Sequence, residues 1–235
     1  MGFFQDAIAV FKKRDLAFIE SYKESDEVYS FLFETDNDLS WKAGQHGLFT
    51  ITHQKIKNGT KPFTITSAPS ENLVRITTKV GANPSEFKKA MLALKKGDTI
   101  RMSGPLGNFH VVENGPTLLI AGGMGITPFR AILKQIEAEG NEIAKQIHLL
   151  YLDSNKSYIF KDEIDQIANK SSVKVTYLDS RDDLQKEIDQ FVTSNKHNSQ
   201  YFIAGPKSMV DSVSTHLQSK KISKKKIKKD AFYGY

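Results

Sequence analysis

Three glycines stand between an apolar run and a helical pattern in the segment TLLIAGGMGITPFRAI. Glycine has no Cβ atom, so Gly122, Gly123 and Gly125 allow positive φ angles and let a phosphate approach the backbone closely. Thr127 is predicted to cap the following helix, and Pro128 to occupy its first position, where a missing N–H costs nothing. Because a helix N-terminus attracts anions, the segment predicts a site for a nucleotide phosphate.

The alternative for this segment is a glycine-rich turn that binds no ligand. Its spacing departs from the ordinary dinucleotide fingerprint G-x-G-x-x-G, because Pro128 stands where the third glycine would be. The segment alone therefore leaves both interpretations open.

A second group of residues with chemical potential lies in KPFTITSAP. Lys61, Phe63 and Thr64 combine a cation, an aromatic ring and a hydroxyl on a predicted strand. A flavin nucleotide needs a charge for its phosphates, a flat surface for its ring and a hydrogen-bond partner near N5. The alternative is an ordinary strand with an exposed lysine and a core phenylalanine.

The elements that would position the second group are strands. VYSFLFET and LVRITTKV alternate apolar and polar residues, and turn signals such as NGT and KKGD separate such runs. Short strands at this spacing predict an antiparallel barrel or sandwich. One helix is predicted in NPSEFKKAMLAL, with Phe87, Met91 and Leu94 at helical spacing.

The pattern of apolar and polar residues changes after about Val112. The apolar runs TLLIAG, IHLLYLD, VKVTYLD and YFIAG alternate with helical patterns, which indicates a parallel sheet with helices on its faces. The sequence therefore predicts two domains: an N-terminal antiparallel β-barrel at residues 1–112 and a C-terminal α/β domain with a parallel sheet at residues 113–235.

The amino-acid composition excludes several kinds of chemical site. The 235 residues include no cysteine, which excludes disulfides, thiolate metal sites and cysteine-ligated clusters within this sequence. The six histidines show no ligand spacing, so no metal site is expected. No apolar run approaches the roughly 20 residues of a membrane span, and the N-terminus lacks the order of a secretory signal. We expect a cytoplasmic monomer with no membrane insertion.

The net charge of +6 is uneven, since residues 220–235 contain seven lysines and one acid. Such a segment can attract an acidic protein, nucleic acid or an anionic membrane. The alternative is a surface helix with solvated lysines. No pattern typical of nucleic-acid recognition accompanies it, so no nucleic-acid partner is expected.

Five stretches resemble, in order, motifs of the ferredoxin-NADP reductase superfamily, and together they span nearly the whole chain. WKAGQH is similar to the family's strand ending in Gly-Gln, KPFT to its flavin motif R-x-Y-S/T, and GPLGNF to the segment that closes the flavin barrel. GGMGITP is similar to the nicotinamide-nucleotide loop, and AGPKSM to the C-G-P-x-x-M element.

The resemblance implies an FAD-binding barrel, an NAD(P)-binding domain, and hydride transfer from NADPH or NADH to the flavin. It implies that Lys61 meets the flavin diphosphate, that Phe63 packs on the ring and that Thr64 bonds near N5. The other residues it assigns to cofactor binding are Pro62, Val80, Gly81 and Ser85 for the flavin, and Gly122, Gly123, Gly125, Thr127, Pro128, Gly205, Pro206 and Met209 for the nicotinamide nucleotide.

The C-terminal DAFYGY resembles the family's terminal aromatic segment, in which a ring stacks over the flavin and moves aside for nicotinamide. Phe232 is the first candidate, because it follows Asp230 at the family's E-x-F/Y spacing, and Tyr235 is the second. Thr64 and Phe232 are thus the expected catalytic residues. The alternative is a frayed tail whose aromatic residues are incidental.

The choice between coenzymes depends on YLDSRDD. Ser180 and Arg181 resemble the pair with which NADPH-using relatives hold the 2'-phosphate, whereas Asp179 would repel that phosphate and accept a ribose hydroxyl. The sequence favours NADPH and leaves NADH open.

Two departures from the family concern rate and affinity. Lys61 replaces arginine, which keeps the charge and loses the bidentate fork. Ala204 replaces a cysteine near the nicotinamide, and slower turnover is expected.

The sequence therefore predicts an FAD-dependent NAD(P)H oxidoreductase with an external acceptor, such as ferredoxin, flavodoxin or another small acidic electron carrier. Two alternatives stay open. One is a diaphorase that reduces free flavin or quinone without a protein partner. The other is a flavin- and nucleotide-responsive binding module that does not turn over.

Overall fold

A computed structural model describes residues 12–35, 38–111, 115–140, 146–195 and 199–232. The chain divides into two compact units, residues 1–110 and 111–235. Each unit has its own sheet and its own apolar core. The assignment of one unit to flavin and the other to a nicotinamide nucleotide stays a prediction at this stage.

The first unit is a six-stranded antiparallel, barrel-like sheet with the strand order β4-β3-β6-β1-β2-β5. Its elements are β1 (Lys13–Lys23), β2 (Val28–Glu34), β3 (His46–Ile51), β4 (Thr60–Thr64), β5 (Leu73–Lys79), α1 (Glu86–Leu92) and β6 (Thr99–Leu106). The predicted alternation in β2 is confirmed, because Phe31 and Phe33 are fully buried and Tyr29 packs against the same core. The predicted helix is also confirmed, with Phe87, Met91 and Leu94 in the core.

A polar network crosses the sheet of the first unit. Arg75 on β5 donates from Nε to Ser30 Oγ at 3.0 Å and from Nη2 to the Glu24 carboxylate. Ser30 Oγ also lies 2.8 Å from Thr77 Oγ1. The Arg75 and Glu24 side chains are only 8% and 13% exposed, so each charge depends on the other for compensation.

The second unit is a five-stranded parallel sheet with the order β11-β10-β7-β8-β9. Its strands are β7 (Thr117–Gly122), β8 (Ile147–Leu152), β9 (Lys174–Leu178), β10 (Gln200–Pro206) and β11 (Ile227–Phe232), and its helices are α2 (Ile126–Glu139), α3 (Lys161–Lys170), α4 (Arg181–Asn195) and α5 (Lys207–Ser219). Every residue of β7 is buried, as expected of a central strand covered on both faces. The predicted fold class is therefore confirmed.

The lysine-rich C-terminal segment is not a surface helix. Residues 224–226 form a 3₁₀ turn, and β11 then pairs in parallel with β10, with Ile227 opposite Tyr201. The segment folds this way because Ile227, at 9% exposure, anchors it to the apolar core of the sheet. Within the described ranges, no helix has both the length and the apolar character that a membrane crossing requires.

Breaking the buried pair is expected to destabilise the first unit. Arg75→Met leaves the Glu24 carboxylate buried without its cationic partner. We expect a loss of about 3–5 kcal/mol in the free energy of unfolding. Urea unfolding followed by the fluorescence of Trp41 measures this, because Trp41 is the sole tryptophan of the sequence and is 8% exposed in that core.

Arg101→Met is the matched control. Arg101 pairs with Asp15 in the same sheet, but the two side chains are 44% and 50% exposed, so a much smaller loss is expected than in Arg75→Met. Equal losses in the two variants would show that the buried network stabilises the unit no more than an exposed ion pair does.

Candidate functional site

The glycine-rich turn leaves β7 at its carboxyl end. A 3₁₀ turn spans residues 123–125, and α2 starts at the next residue, Ile126. Gly123 has a φ of +50°, whereas Gly122 and Gly125 have φ angles of −122° and −62°, which any residue can adopt. Only Gly123 therefore requires the left-handed freedom expected of all three glycines.

The other two glycines are required for packing. A Cβ atom at Gly125 would overlap the carbonyl oxygen of Ala204, and a Cβ atom at Gly122 would overlap the sulfur of Met209. A Cβ atom at Gly123 would meet nothing within 4 Å. Gly122 and Gly125 thus let the turn pack against β10 and α5, and Gly123 offers open backbone to a ligand.

The prediction that Thr127 caps the helix is wrong. Gly125 is the N-cap residue of α2, and the Thr127 hydroxyl instead donates to the carbonyl of Met124 at 3.0 Å. The 3₁₀ turn causes this shift, because it tightens the backbone ahead of the helix and moves the helix start towards the glycines. Pro128 consequently occupies the third helical position and not the first, still within the turn where a missing N–H is tolerated.

The fold gathers the other predicted residues of the second unit at one edge of the sheet. In the strand register, Gly122 pairs with Leu152, and Leu152 with Leu178, so the turns after β7, β8 and β9 are neighbours. At the same edge, β10 ends at Gly205 and Pro206, Phe232 pairs with Pro206, and Met209 lies in the first turn of α5. Ligands of open parallel sheets bind at this carboxyl edge. The candidate residue Tyr235 lies outside the described residues.

At the end of β9, Ser180 is already engaged. Its hydroxyl donates to Asp183 Oδ2 at 2.7 Å and accepts the Asp183 backbone N–H at 3.1 Å, which caps the start of α4. Arg181 is exposed. Asp179 pairs with Lys156, whose Nζ lies 2.8 Å from Asp179 Oδ2, and this hydrogen bond holds the pKa of the Asp179 carboxyl below its usual range. Sequence reasoning missed Lys156, because no motif connects the turn after β8 to the end of β9.

In the first unit, the pleat of β4 places Lys61 and Phe63 on one face of the strand. Lys61 is exposed, and the Phe63 ring lies between Phe49 and Phe87, with ring centroids 6.3 and 5.4 Å away. Thr64 belongs to the opposite face and is 9% exposed. The pleat therefore places Lys61 and Phe63 on one face of β4, and Thr64 on the opposite face together with the exposed Pro62.

The loop between β5 and α1 contains the other predicted residues of the first unit. Val80 is buried and its N–H donates to the Glu27 carbonyl at 2.5 Å, whereas a Cβ atom at Gly81 would meet nothing within 4 Å. Ser85 is the N-cap residue of α1 and accepts the Lys88 N–H at 3.4 Å.

Two lysines that sequence reasoning missed flank this loop. Lys79 ends β5 and Lys88 lies in α1, and partial burial together with the charge of Lys79 lowers the pKa of Lys88. Lys79 pairs with Glu27, whose Oε2 lies 2.8 Å from Lys79 Nζ, so Lys88 is the partly buried ammonium group of this loop that suits an anionic ligand. The positions of these two lysines in the sequence, on either side of Gly81 and Ser85, could have identified them as candidates.

The different roles of the glycines lead to a stability prediction. Gly125→Ala is expected to cost roughly 3 kcal/mol or more in the free energy of unfolding, because a backbone carbonyl cannot rotate away from the added methyl group. Gly123→Ala should cost only about 1–2 kcal/mol, for an alanine in the left-handed region. Urea unfolding followed by circular dichroism compares the two; a larger loss in Gly123→Ala would overturn the packing role of Gly125.

Known proteins are similar to this chain in sequence and in fold. Residues 119–215 match the family described as "Oxidoreductase NAD-binding domain". The chain is 25% identical over 216 residues to flavohemoprotein A of Dictyostelium discoideum, covering 83% of this chain and 54% of that protein. It is 30% identical over 138 residues to the toluate 1,2-dioxygenase electron transfer component of Pseudomonas putida, covering 54% of this chain and 40% of that protein.

Among solved structures, a ferredoxin NADP+ reductase from Neisseria gonorrhoeae with bound FAD and NADP superposes with a TM-score of 0.76 and 18% identity, covering 94% of this chain and 99% of that one. The chain spans about half the length of the curated relatives it matches. Residues 119–215 therefore match an oxidoreductase NAD-binding domain, and the two-unit fold is shared with the solved ferredoxin NADP+ reductase.

Proposed function

We propose that this chain is an FAD-dependent NAD(P)H oxidoreductase that passes electrons to a separate acceptor. The observation that carries the proposal is the open backbone of Gly123, at the carboxyl edge of a parallel sheet that matches an oxidoreductase NAD-binding domain. When bound, FAD would supply the redox chemistry, accepting a hydride from the nicotinamide and releasing its electrons to the acceptor.

The second unit fits a nicotinamide nucleotide. Gly123 leaves room for a phosphate where any side chain would intrude, and α2, a helix of 14 residues, directs the positive end of its dipole towards the same turn. Gly205, Pro206 and Met209 would line the nicotinamide side, and Arg181 would meet the far end of the nucleotide. Gly122 and Gly125 support this site by packing, without touching the ligand.

The first unit fits the charges and the ring of a flavin nucleotide. Lys61 and Lys88 would supply positive charge for the diphosphate, and Gly81, in the loop between β5 and α1, offers open backbone. Phe63, fixed by its neighbouring rings, would present a flat surface to the flavin ring. Thr64 and Phe232 complete the proposed catalytic set, as the hydrogen-bond partner near N5 and as the ring that covers the flavin.

For the acceptor, we propose a small acidic electron carrier such as ferredoxin or flavodoxin. The relatives include an electron transfer component of a dioxygenase, which by its name delivers electrons to another protein. In this chain, Lys221, Lys224, Lys225 and Lys229 are exposed along the C-terminal segment. Clustered positive charge of this kind raises the rate at which an acidic partner is captured.

Flavin reduction tests the enzymatic activity. Purified protein with bound FAD is mixed anaerobically with NADPH or NADH while the flavin absorbance near ~450 nm is followed. We expect bleaching, and in Gly123→Ala a KM for the nucleotide about tenfold higher, equivalent to about 1.4 kcal/mol of lost binding, with unchanged flavin content.

Gly140→Ala is the control for that variant. Gly140 also has a positive φ, of +92°, and open space around it, but it lies at the far end of α2.

Persistent flavin absorbance with nucleotide bound would identify a binding module. Equal effects of the two substitutions would remove Gly123 from the nucleotide site.

Carrier docking is tested by charge reversal. In Lys224→Glu/Lys225→Glu, kcat/KM for an acidic ferredoxin at low salt is expected to fall about tenfold, and added salt should narrow the gap to the unmodified protein. Reduction of ferricyanide should be unchanged in both proteins.

Lys95→Glu/Lys96→Glu is the matched control, since these adjacent lysines are also exposed but belong to the first unit. Equal losses in the two double variants, or ferredoxin reduction that does not respond to salt, would contradict docking on the C-terminal segment. Efficient reduction of quinone or free flavin alone would identify a diaphorase.

A further inference from the structure

An ion pair joins two strand ends at the carboxyl edge of the parallel sheet. Lys156, in the turn after β8, contacts Asp179, the residue that follows β9, with Nζ 2.8 Å from Oδ2. The two side chains are 69% and 43% exposed, so both are open to solvent and to a ligand. Arg181 begins α4 two residues later.

The backbone holds Lys156 in this position. The Asp153 carboxylate accepts the N–H groups of Asn155 and Ser157 at 2.9 and 3.3 Å, and the Lys156 N–H donates to the Asp153 carbonyl at 3.0 Å. The Asp153 N–H in turn donates to the Leu178 carbonyl at 2.9 Å, which fastens the turn to the end of β9. These hydrogen bonds fix the backbone at Lys156 close to the end of β9.

Asp179 lies at a strand end where a charged side chain affects which coenzyme binds. In dinucleotide-binding sheets, a carboxylate at a strand end accepts the ribose hydroxyls of NADH, whereas a nearby arginine accommodates the 2'-phosphate of NADPH. This chain has both groups, Asp179 and Arg181, at the same strand end. Left unpaired, the carboxylate would repel the phosphate that Arg181 attracts.

The neighbouring groups do not compensate Asp179. The Ser180 hydroxyl donates its proton to Asp183, so it is not available to a phosphate. Asp183 also pairs with Lys186 at 2.9 Å, and the charge of Asp182 acts on the same lysine. Lys156 is thus the cation that pairs with Asp179, and the exposed Arg181 lies two residues further along the chain.

We propose that Lys156 is a positioning residue for coenzyme selectivity: by holding and neutralising Asp179, it makes this strand end accept the 2'-phosphate of NADPH. The inference rests on the proposed function, since it concerns the nucleotide site of the same sheet. It predicts that selectivity depends on the turn after β8 as well as on Arg181.

Calorimetric binding of 2'-phospho-AMP and AMP to the full chain tests the proposal. In Lys156→Met we expect about tenfold weaker binding of 2'-phospho-AMP and a change of less than about twofold for AMP, because only 2'-phospho-AMP has a 2'-phosphate to meet the exposed charge of Asp179. Asp179→Asn should bind 2'-phospho-AMP at least as tightly as the unmodified protein. In the Asp179→Asn background, Lys156→Met should cost less than about threefold.

Lys170→Met is the matched control. Lys170 pairs with Glu137 and is 68% exposed, but it ends α3 and lies away from the strand end. Its substitution should leave both affinities unchanged.

The outcomes separate two failures. If the unmodified protein binds neither nucleotide, the proposed nucleotide site is wrong. If it binds both, and Lys156→Met weakens both alike or costs the same in the Asp179→Asn background, the nucleotide site stands and the role of Lys156 through Asp179 is overturned.

Discussion

The carboxyl edge of the parallel sheet depends on a backbone contact that leaves no room for a Cβ atom. The turn after β7 lies against the end of β10 so closely that a side chain at Gly125 would overlap the Ala204 carbonyl. From the other side, Gly205 adopts a φ of +147°, and a Cβ atom there would lie 2.9 Å from the Gly122 carbonyl oxygen. Because protein interiors are close-packed, this contact fixes the two central strand ends relative to each other and leaves Gly123 as the open position.

Sequence reasoning identified the turn but could not assign its glycines. The order of strand, glycines and helix is a local pattern, and so is the apolar alternation that predicted both sheets. Whether a glycine faces a ligand or a neighbouring strand depends on Ala204 and Met209, which lie far along the chain. The start of α2 was misjudged for a related reason: the 3₁₀ turn moves the helix start to Ile126, and Thr127 then bonds back to Met124.

The C-terminal segment shows how tertiary packing overrides a composition signal. The segment is rich in lysine but forms the strand β11. Ile227 is buried and pairs with Tyr201 of β10. As the last strand in the order of the described sheet, β11 presents backbone groups that could pair with another chain. Lys228 and Lys229 discourage such pairing, since charged side chains on an edge strand oppose association of like edges. Lys229 is also exposed, so protection of the edge and the proposed docking of an acidic carrier are compatible uses of one surface.

Parallel topology also explains why selectivity was hard to derive from a short motif. Successive strands of the sheet bring their carboxyl ends together, so the charges around a bound nucleotide come from several separate turns. Asp179 and Arg181 lie two residues apart in sequence, but Lys156, which pairs with Asp179, follows a different strand. A Ser-Arg pair therefore describes only part of the electrostatic environment. In this chain the serine hydroxyl is committed to the start of α4, and the balance of charge rests on the ion pair between two strand ends.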